Sequence, residues 1–342
     1  MRYIDAFNHF FPQALWDKMM NSEGAAKDIG KRMRGIPCIY DINERLKCVD
    51  MFRKEHDYSQ VISLGMPPLE SLGTPAQVEE FAKLGNDGMA ELVQKHPDHF
   101  CGFLASLPMN SDNAWKEAER AFKLGANALQ IHTNINGDPL DHPKYFPVFE
   151  LAAKHGKPIF LHPSRAAGDV TDYKNEPKSK YEIWWTFGWP YETSAAMARM
   201  VFSGFFDRWP NLKVVTHHMG GMIPYFEGRV GWGWDALGDR TSDKDYKPIL
   251  KAMADKGKRP VDFFHNFYAD TALFGGQGAT ECGLKFFGLD KVVFASDVPF
   301  EPAPGLYIRE TIKVIENLGL TAEQKDVIYR KNAERILGIK VK

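Results

Sequence analysis

The 342-residue chain has no long run of one charge and almost no net charge, with 43 Lys plus Arg against 44 Asp plus Glu. This balance argues against a nucleic acid or an acidic membrane surface as a partner. No apolar run approaches the length of a membrane span, and no basic stretch leads into an apolar signal segment at the start. We therefore expect a cytoplasmic protein.

Cysteine is also scarce, and the four cysteines show no CxxC spacing. In a chain of this size without an export signal, free thiols are the better interpretation of Cys38, Cys48, Cys101 and Cys282.

A glycine-rich phosphate turn is missing after the first strand-like run, which disfavours a doubly wound nucleotide-binding sheet. No internal repeat or low-complexity segment stands out.

Short β-rich runs alternate with stretches of helical spacing along the whole chain. The runs lie at about residues 2–8, 58–64, 100–106, 126–132, 158–163, 212–217, 265–271 and 291–296. Strands that alternate with helices pair in parallel, and about eight such units close a barrel. We predict one domain over 1–342, a distorted (β/α)8 TIM barrel, with a doubly wound open sheet as the competing architecture.

Two connections are much longer than a strand-to-helix turn, at about 10–45 after strand 1 and 164–195 after strand 5. Long connections in compact domains are often lids or binding loops, so we expect lid insertions there. The second is rich in aromatic residues, namely Tyr181, Trp184, Trp185, Phe187, Trp189 and Tyr191. Two interpretations of this cluster are open. It forms the wall of a pocket for an aromatic ligand, or it covers a barrel edge or a subunit contact.

Potential metal ligands stand at the ends of separate strand-like runs. His9, His162 and Asp297 each close such a run, and the run at 212–217 leads into His217 and His218. Parallel strands end at one rim of a barrel, where imidazole and carboxylate groups suit zinc or manganese. Alternation along a strand lets only one of the adjacent histidines face the centre. Buried structural histidines and a helix N-cap at Asp297 are the competing interpretations.

The ordered motifs resemble the amidohydrolase superfamily, in particular the branch of aminocarboxymuconate semialdehyde and gamma-resorcylate decarboxylases. The stretches that carry this resemblance are IDAFNHFFP at 4–12, GANALQIH at 125–132, LHP at 161–163, HMGG at 218–221 and SDVPF at 296–300. The resemblance implies one divalent metal, zinc or manganese, bound by His9, His162 and Asp297. It also implies that His218 is a catalytic acid or base, which leaves His217 as an outward or outer-sphere residue.

Phe7 departs from the family pattern, because the family's first metal-binding His or Glu would stand there and phenylalanine cannot ligate. Three alternatives follow. The remaining three ligands hold zinc together with water, His218 becomes a fourth ligand, or the site is empty or has changed its chemistry. Phe7 is then expected to line the substrate pocket with Trp189 and His132.

The resemblance implies non-oxidative decarboxylation of a hydroxylated aromatic or unsaturated carboxylic acid. The metal would orient the small-molecule carboxylate, and Asp297 or His218 would transfer the proton. Arg45 resembles a carboxylate-binding arginine of the family, or it forms a surface ion pair with Glu44 or Asp41. The alternatives are a hydrolase or hydratase acting on a ring-cleavage product, and a metal-free barrel. Relatives are commonly oligomeric, so we expect a homo-oligomer, in particular a dimer.

Overall fold

Eight parallel strands form one sheet in the computed structural model, which describes residues 1–22, 28–165, 170–241 and 246–339, without the side chains of 28–30. The sheet order is β1-β2-β3-β4-β7-β8-β9-β10. The strands are β1 (Arg2–His9), β2 (Asp57–Ser63), β3 (Phe100–Ser106), β4 (Ala128–His132), β7 (Ile159–His162), β8 (Val214–Thr216), β9 (Tyr268–Asp270) and β10 (Val292–Val293). A small antiparallel pair, β5 (Asn134–Ile135) and β6 (Asp138–Pro139), follows β4.

The first and last strands meet and close the barrel. The Ala6 backbone N–H donates to Phe294 O at 2.9 Å, and the Asp297 N–H donates to Phe7 O at 3.1 Å. The interior is filled by buried apolar side chains from seven of the eight strands and by Ala272 just after β9, and the last helix packs against the same cluster. The predicted (β/α)8 TIM barrel is therefore confirmed, and strand ends that are distant in sequence lie at one rim.

Helices connect the strands and cover the outside of the barrel. They are α1 (Gln13–Met20), α2 (Asp28–Arg34), α3 (Ile42–Arg53), α4 (Pro75–Lys95), α5 (Ala114–Leu124), α6 (Phe146–His155), α7 (Ile183–Thr186), α8 (Gly188–Phe202), α9 (Phe205–Arg208), α10 (Glu227–Asp235), α11 (Tyr246–Ala254), α12 (Gln277–Phe287), α13 (Leu306–Glu316), α14 (Ala322–Asp326) and α15 (Asn332–Leu337). Among the described residues, none of these helices is both long enough and apolar enough to cross a membrane.

The last three barrel strands are shorter than their apolar runs predict. Residues 265 and 266 belong to a short 3-10 helix, Pro260–Asn266, so β9 begins only at Tyr268. After β10 the chain leaves the ladder, and Ser296 N–H donates instead to the Asp5 carboxylate at 3.0 Å. Apolar runs therefore overestimate these strands, because a 3-10 helix replaces the start of β9 and a side-chain hydrogen bond replaces strand pairing after β10.

The long connection predicted at 10–45 after strand 1 contains regular structure. It contains α1 and α2, and Leu15 and Met19 of α1 are buried in the core between helices and sheet. The connection at 164–195 carries α7 and the start of α8. Residues 23–27 and 166–169 of the two connections lie outside the described residues, and the assignment of lids stays a prediction.

Arg45 of α3 reaches inward to the sheet, contrary to both interpretations of its sequence context. Its side chain is fully buried, its Nε donates to Gln60 Oε1 at 3.0 Å, and its Nη2 donates to Asn8 Oδ1 at 2.5 Å. A buried guanidinium of this kind is neither a surface ion pair nor a group facing an open pocket. Its position ties α3 to β1 and β2. Burial raises the pKa of Asp5, and the positive charge of Arg45 opposes that rise.

Replacing Arg45 by methionine is expected to lower the free energy of unfolding by about 2–4 kcal/mol. The substitution leaves the buried Asn8 and Gln60 oxygens without their donor. Urea unfolding measures the change, and Lys47→Met is the matched control, because Lys47 lies on the same helix with 71% of its side chain exposed. Unchanged stability combined with a raised KM would instead indicate that Arg45 binds substrate.

Candidate active site

Four buried side chains from four strand ends converge at the rim. His9, His162, His217 and Asp297 each offer one ligand atom, and these atoms all lie within 4.8 Å of one another. The exposed fraction of each residue is 4% or less. Imidazole nitrogens and a carboxylate oxygen are a donor set that suits zinc or manganese.

His9 and His162 are held in one tautomer by backbone carbonyls. His9 Nδ1 lies 2.9 Å from Leu64 O, and His162 Nδ1 lies 2.7 Å from Pro163 O. A carbonyl oxygen only accepts, so Nδ1 carries the hydrogen in both rings and Nε2 keeps a lone pair. Such outer contacts to Nδ1 are typical of histidines that bind a metal through Nε2.

Asp297 lies at the centre of the cluster in a left-handed backbone conformation, with φ 61°. Its carboxylate oxygens lie 2.9 Å from His9 Nε2 and 3.4 Å from both His217 Nε2 and His218 Nε2. Burial favours the neutral acid, but the charge of His217 and the histidine contacts outweigh it, so the pKa of Asp297 lies well below its ordinary value. Lone pairs of imidazole and carboxylate repel each other unless a proton or a cation lies between them, so this arrangement fits a cation.

His217 also faces the cluster, which corrects the expectation that it points outward and that only one of the two histidines faces the centre. Strand β8 ends at Thr216, and His218 and Met219 have φ of 51° and 53°. Strand alternation does not apply in this turn, and the two imidazoles stack with ring centroids 3.7 Å apart. His217 is fully buried, and its Nε2 has no hydrogen-bond partner.

Asp270 at the end of β9 holds this turn in place. Its Oδ2 lies 2.6 Å from His217 Nδ1, and its Oδ1 accepts from the backbone N–H of His218 at 3.0 Å and of Ala272 at 3.1 Å. Burial opposes protonation of His217, but the carboxylates of Asp270 and Asp297 outweigh it and raise the pKa of His217 to about 10. The same negative charges favour any cation at this position.

His218 differs from the other three histidines because no acceptor holds its Nδ1, which is buried without a partner. Its side chain keeps 10% exposure, more than any member of the four-residue cluster. Burial and the neighbouring His217 lower the pKa of His218, which favours the neutral ring. This histidine is therefore the least constrained imidazole at the site.

Aromatic rings surround the cluster. Trp189 is half-buried and lies 5.7 Å from His162 and 6.4 Å from His218 between ring centroids. Phe274 lies 5.6 Å from His218, and Phe300 lies 5.8 Å from His9. These rings suit a planar ligand next to the cluster. The aromatic connection at 164–195 thus reaches the site through Trp189.

Phe7 lies beneath the cluster rather than beside an open pocket. It is fully buried, and its ring centroid is 5.1 Å from that of His9, 5.9 Å from His162 and 4.6 Å from His217. The prediction that Phe7 lines the substrate pocket is therefore corrected. Its ring supports three of the candidate ligands from below.

His132 at the end of β4 faces a carboxylate that the sequence reasoning missed. His132 Nδ1 lies 3.7 Å from Glu70 Oε1, and its ring lies 5.3 Å from that of His162. Burial lowers the pKa of His132 to about 3, with His9 adding to the effect, and burial raises the pKa of Glu70 to about 7. Glu70 belongs to a short 3-10 helix, Leu69–Ser71, which lacks the strand-end signal that identified the other residues.

His265 and Arg229 lie away from the four-residue cluster. His265 belongs to the 3-10 helix before β9 and packs against Phe286 at 4.5 Å between centroids. Arg229 is exposed on α10. Neither contacts the four-residue cluster in the part of the chain that the structure describes.

The sequence is similar to those of several known proteins. The profile of a family described as amidohydrolase matches residues 58–339. A 2-amino-3-carboxymuconate-6-semialdehyde decarboxylase from Dictyostelium discoideum is 32% identical over 267 residues, which cover 78% of this chain and 68% of that protein. A gamma-resorcylate decarboxylase from Rhodococcus jostii is 30% identical over 306 residues, covering 85% and 83%.

Solved structures of similar fold include a 2,6-dihydroxybenzoate decarboxylase from Rhizobium. It superposes with a TM-score of 0.76 at 24% identity and covers 99% of both chains. A dihydroxybenzoic acid decarboxylase from Polaromonas, solved with bound manganese and the inhibitor 2-nitroresorcinol, has a TM-score of 0.77 at 24% identity, with coverage of 99% and 98%. These likenesses agree with the barrel described above.

The substitution Glu70→Gln is expected to affect stability in a pH-dependent way. The free energy of unfolding of Glu70→Gln minus that of the unmodified protein should be about 2 kcal/mol larger at pH 8 than at pH 5. The pKa of Glu70 is raised from 4.5 to about 7 on folding, so its contribution to stability is complete below about pH 4.5 and is lost as the pH rises to about 7. Glutamine does not ionise. Urea unfolding at both pH values measures the effect, with Glu119→Gln on the exposed face of α5 as the control. A difference between Glu70→Gln and the unmodified protein that does not change with pH would contradict the assignment.

Proposed function

The chain belongs to the amidohydrolase family, and on that premise we propose that it catalyses non-oxidative decarboxylation of a hydroxylated aromatic or unsaturated carboxylic acid. The observation that carries the proposal is the buried cluster of imidazoles and one carboxylate beneath a wall of aromatic rings. The named relatives are decarboxylases of small carboxylic acids, which supports this reaction over hydrolysis or hydration.

A single divalent ion, zinc or manganese, is proposed at the rim with His9, His162 and Asp297 among its ligands. The fixed Nδ1–H tautomers of the two histidines support this assignment, because each leaves Nε2 for an ion. The manganese in the Polaromonas structure makes manganese as plausible as zinc. When bound, the ion supplies positive charge that attracts the substrate carboxylate and an adjacent hydroxyl or keto oxygen.

The aromatic wall would position the substrate ring. Trp189 and Phe274 both lie near His218, with ring centroids 6.4 and 5.6 Å from its own, so a planar ring packed against them would lie next to its imidazole. His132 and Glu70 provide polar groups at the side of His162. His132 Nε2 is buried without a partner and is available to a hydroxyl group of the substrate.

His218 and Asp297 are proposed as the proton-transfer pair, with His218 Nε2 and Asp297 Oδ2 3.4 Å apart. A proton held by this pair passes to the substrate carbon that carries the carboxylate. The bond between that carbon and the carboxylate carbon then breaks, its electron pair stays with the substrate carbon, and CO2 leaves. Protein and substrate together thus consume one proton for each CO2 released.

We also propose that the chain forms a homo-oligomer. Several large aromatic side chains are exposed, among them Tyr181, Phe187 and Trp232, and aromatic residues are enriched in interface cores. Light scattering on the purified protein tests this assembly, and a monomer at all concentrations would contradict it.

Protein loaded with Mn²⁺ or Zn²⁺ is expected to release CO2 from a benzoate that carries a hydroxyl next to its carboxylate, such as 2,6-dihydroxybenzoate. Substitution of the proton-transfer histidine, His218→Asn, should lower kcat by about 10²–10⁴-fold. His155→Asn, on the exposed surface of α6, is the control and should leave kcat unchanged.

Isotope-labelled water separates the alternatives in the same assay. Decarboxylation places one solvent hydrogen on the ring carbon and releases CO2. Incorporation of solvent oxygen into a ring-cleavage product without CO2 would contradict the decarboxylase and favour a hydrolase or hydratase.

A further inference from the structure

We propose that His217 is the fourth protein ligand of the metal and replaces the coordination that Phe7 cannot provide. The inference rests on the proposed metal centre and extends it to a residue outside the set that the family resemblance implies. Phe7 on β1 offers no ligand atom, whereas His217, which follows β8, offers one to the same cluster. The ring of His217 packs directly against that of Phe7, with centroids 4.6 Å apart.

The first support is the tautomer of His217. Asp270 Oδ2 lies 2.6 Å from Nδ1, and a carboxylate accepts, so Nδ1 donates. His9 and His162 have the same arrangement with carbonyl acceptors at Nδ1. Three imidazoles therefore present Nε2 to one point, and the carboxylate behind His217 matches the outer contact that orients metal-bound histidines.

The second support is the unsatisfied state of His217 Nε2. It is buried, lies 3.4 Å from Asp297 Oδ1, and lacks the alignment of a hydrogen bond. Buried polar atoms in native proteins nearly always have a partner. A purely structural role for the contact between His217 and Asp270 accounts for Nδ1 but leaves Nε2 without one. Coordination to an ion satisfies both nitrogens.

The third support is the balance of charge. Asp297 and Asp270 are two fully buried carboxylates, one in the cluster and one directly behind it. A divalent cation bound between His217 and Asp297 offsets both negative charges, whereas a proton on His217 offsets only one, and buried charges that lack compensation are costly. The nearby buried Asp5 does not enter this balance, because it receives hydrogen bonds from Ser296 and Tyr58 and lies near Arg45.

His218 lacks these features, although it is adjacent in sequence. No acceptor holds its Nδ1, so nothing described in the structure selects the tautomer that would leave Nε2 for a metal. Its greater exposure and its contacts with Trp189 and Phe274 place it toward the substrate side. The two adjacent histidines therefore have different roles. His217 binds the ion, and His218 remains free for proton transfer.

Titration of metal-free protein with Mn²⁺ and Zn²⁺ by calorimetry tests this division. His217→Asn should weaken binding at least about 100-fold, and Asp270→Asn about 10–100-fold, because loss of the outer contact disorients the ring. His218→Asn is the matched control and should change affinity less than about 3-fold. A His217→Asn protein that melts like the unmodified one and binds within about 3-fold of its affinity would overturn the proposal.

A double substitution distinguishes the loss of a metal ligand from a general structural defect of the His217 variants. His217→Gly combined with Phe7→Glu returns a carboxylate to the first strand, and it should recover at least about tenfold of the affinity lost in His217→Gly alone. Electron spin echo measurements on bound Mn²⁺ give an independent count of coordinated imidazoles. We expect three in the unmodified protein and two in His217→Asn, whereas two in both would contradict the inference.

The two proposals fail in distinguishable ways. If metal binding depends on His217 but no carboxylic acid releases CO2, the ligand assignment stands and the proposed reaction fails. If CO2 is released and His217→Asn keeps both its metal affinity and its imidazole count, the ligand assignment fails and the decarboxylase stands.

Discussion

The buried carboxylate of Asp297 is the constraint on which the rim of the barrel depends. An ionised group at 4% exposure is costly unless positive charge or hydrogen-bond donors surround it. Three imidazole Nε2 atoms, from His9, His217 and His218, lie within 3.4 Å of its oxygens. The barrel brings these groups together because parallel strands end at a common edge, and closure of the first strand against the last brings Asp297 next to β1.

Hydrogen-bond contacts to Nδ1 then distinguish the roles of the four histidines at the rim, although their side chains are chemically alike. Acceptors at Nδ1 hold His9, His162 and His217 in one tautomer, whereas His218 has none. The difference comes from backbone carbonyls and one carboxylate that do not themselves touch a substrate. In this account, loss of a ligand at Phe7 does not abolish the metal centre, because Asp270 turns a histidine on another strand toward the same point.

Much of this architecture could be predicted from sequence, and the family and the fold are confirmed. The alternation of strands and helices predicted the barrel, and strand-end position identified His9, His162 and Asp297. The reasoning failed where local backbone geometry departs from a regular strand. His217 was assigned outward because alternation allows one inward histidine and the family resemblance gave that place to His218, whereas the positive φ of His218 lets both rings face the cluster. Arg45 was assigned to the surface or the substrate, although its partners Gln60 and Asn8 are visible only in three dimensions.

Anomalous diffraction from crystals grown with Mn²⁺ tests the central claim most directly. The account predicts one strong peak per chain at the rim, bonded to Nε2 of His9, His162 and His217 and to the carboxylate of Asp297, with His218 outside the coordination sphere. A peak bonded to His218 instead of His217, or no peak at this rim under saturating metal, would contradict it.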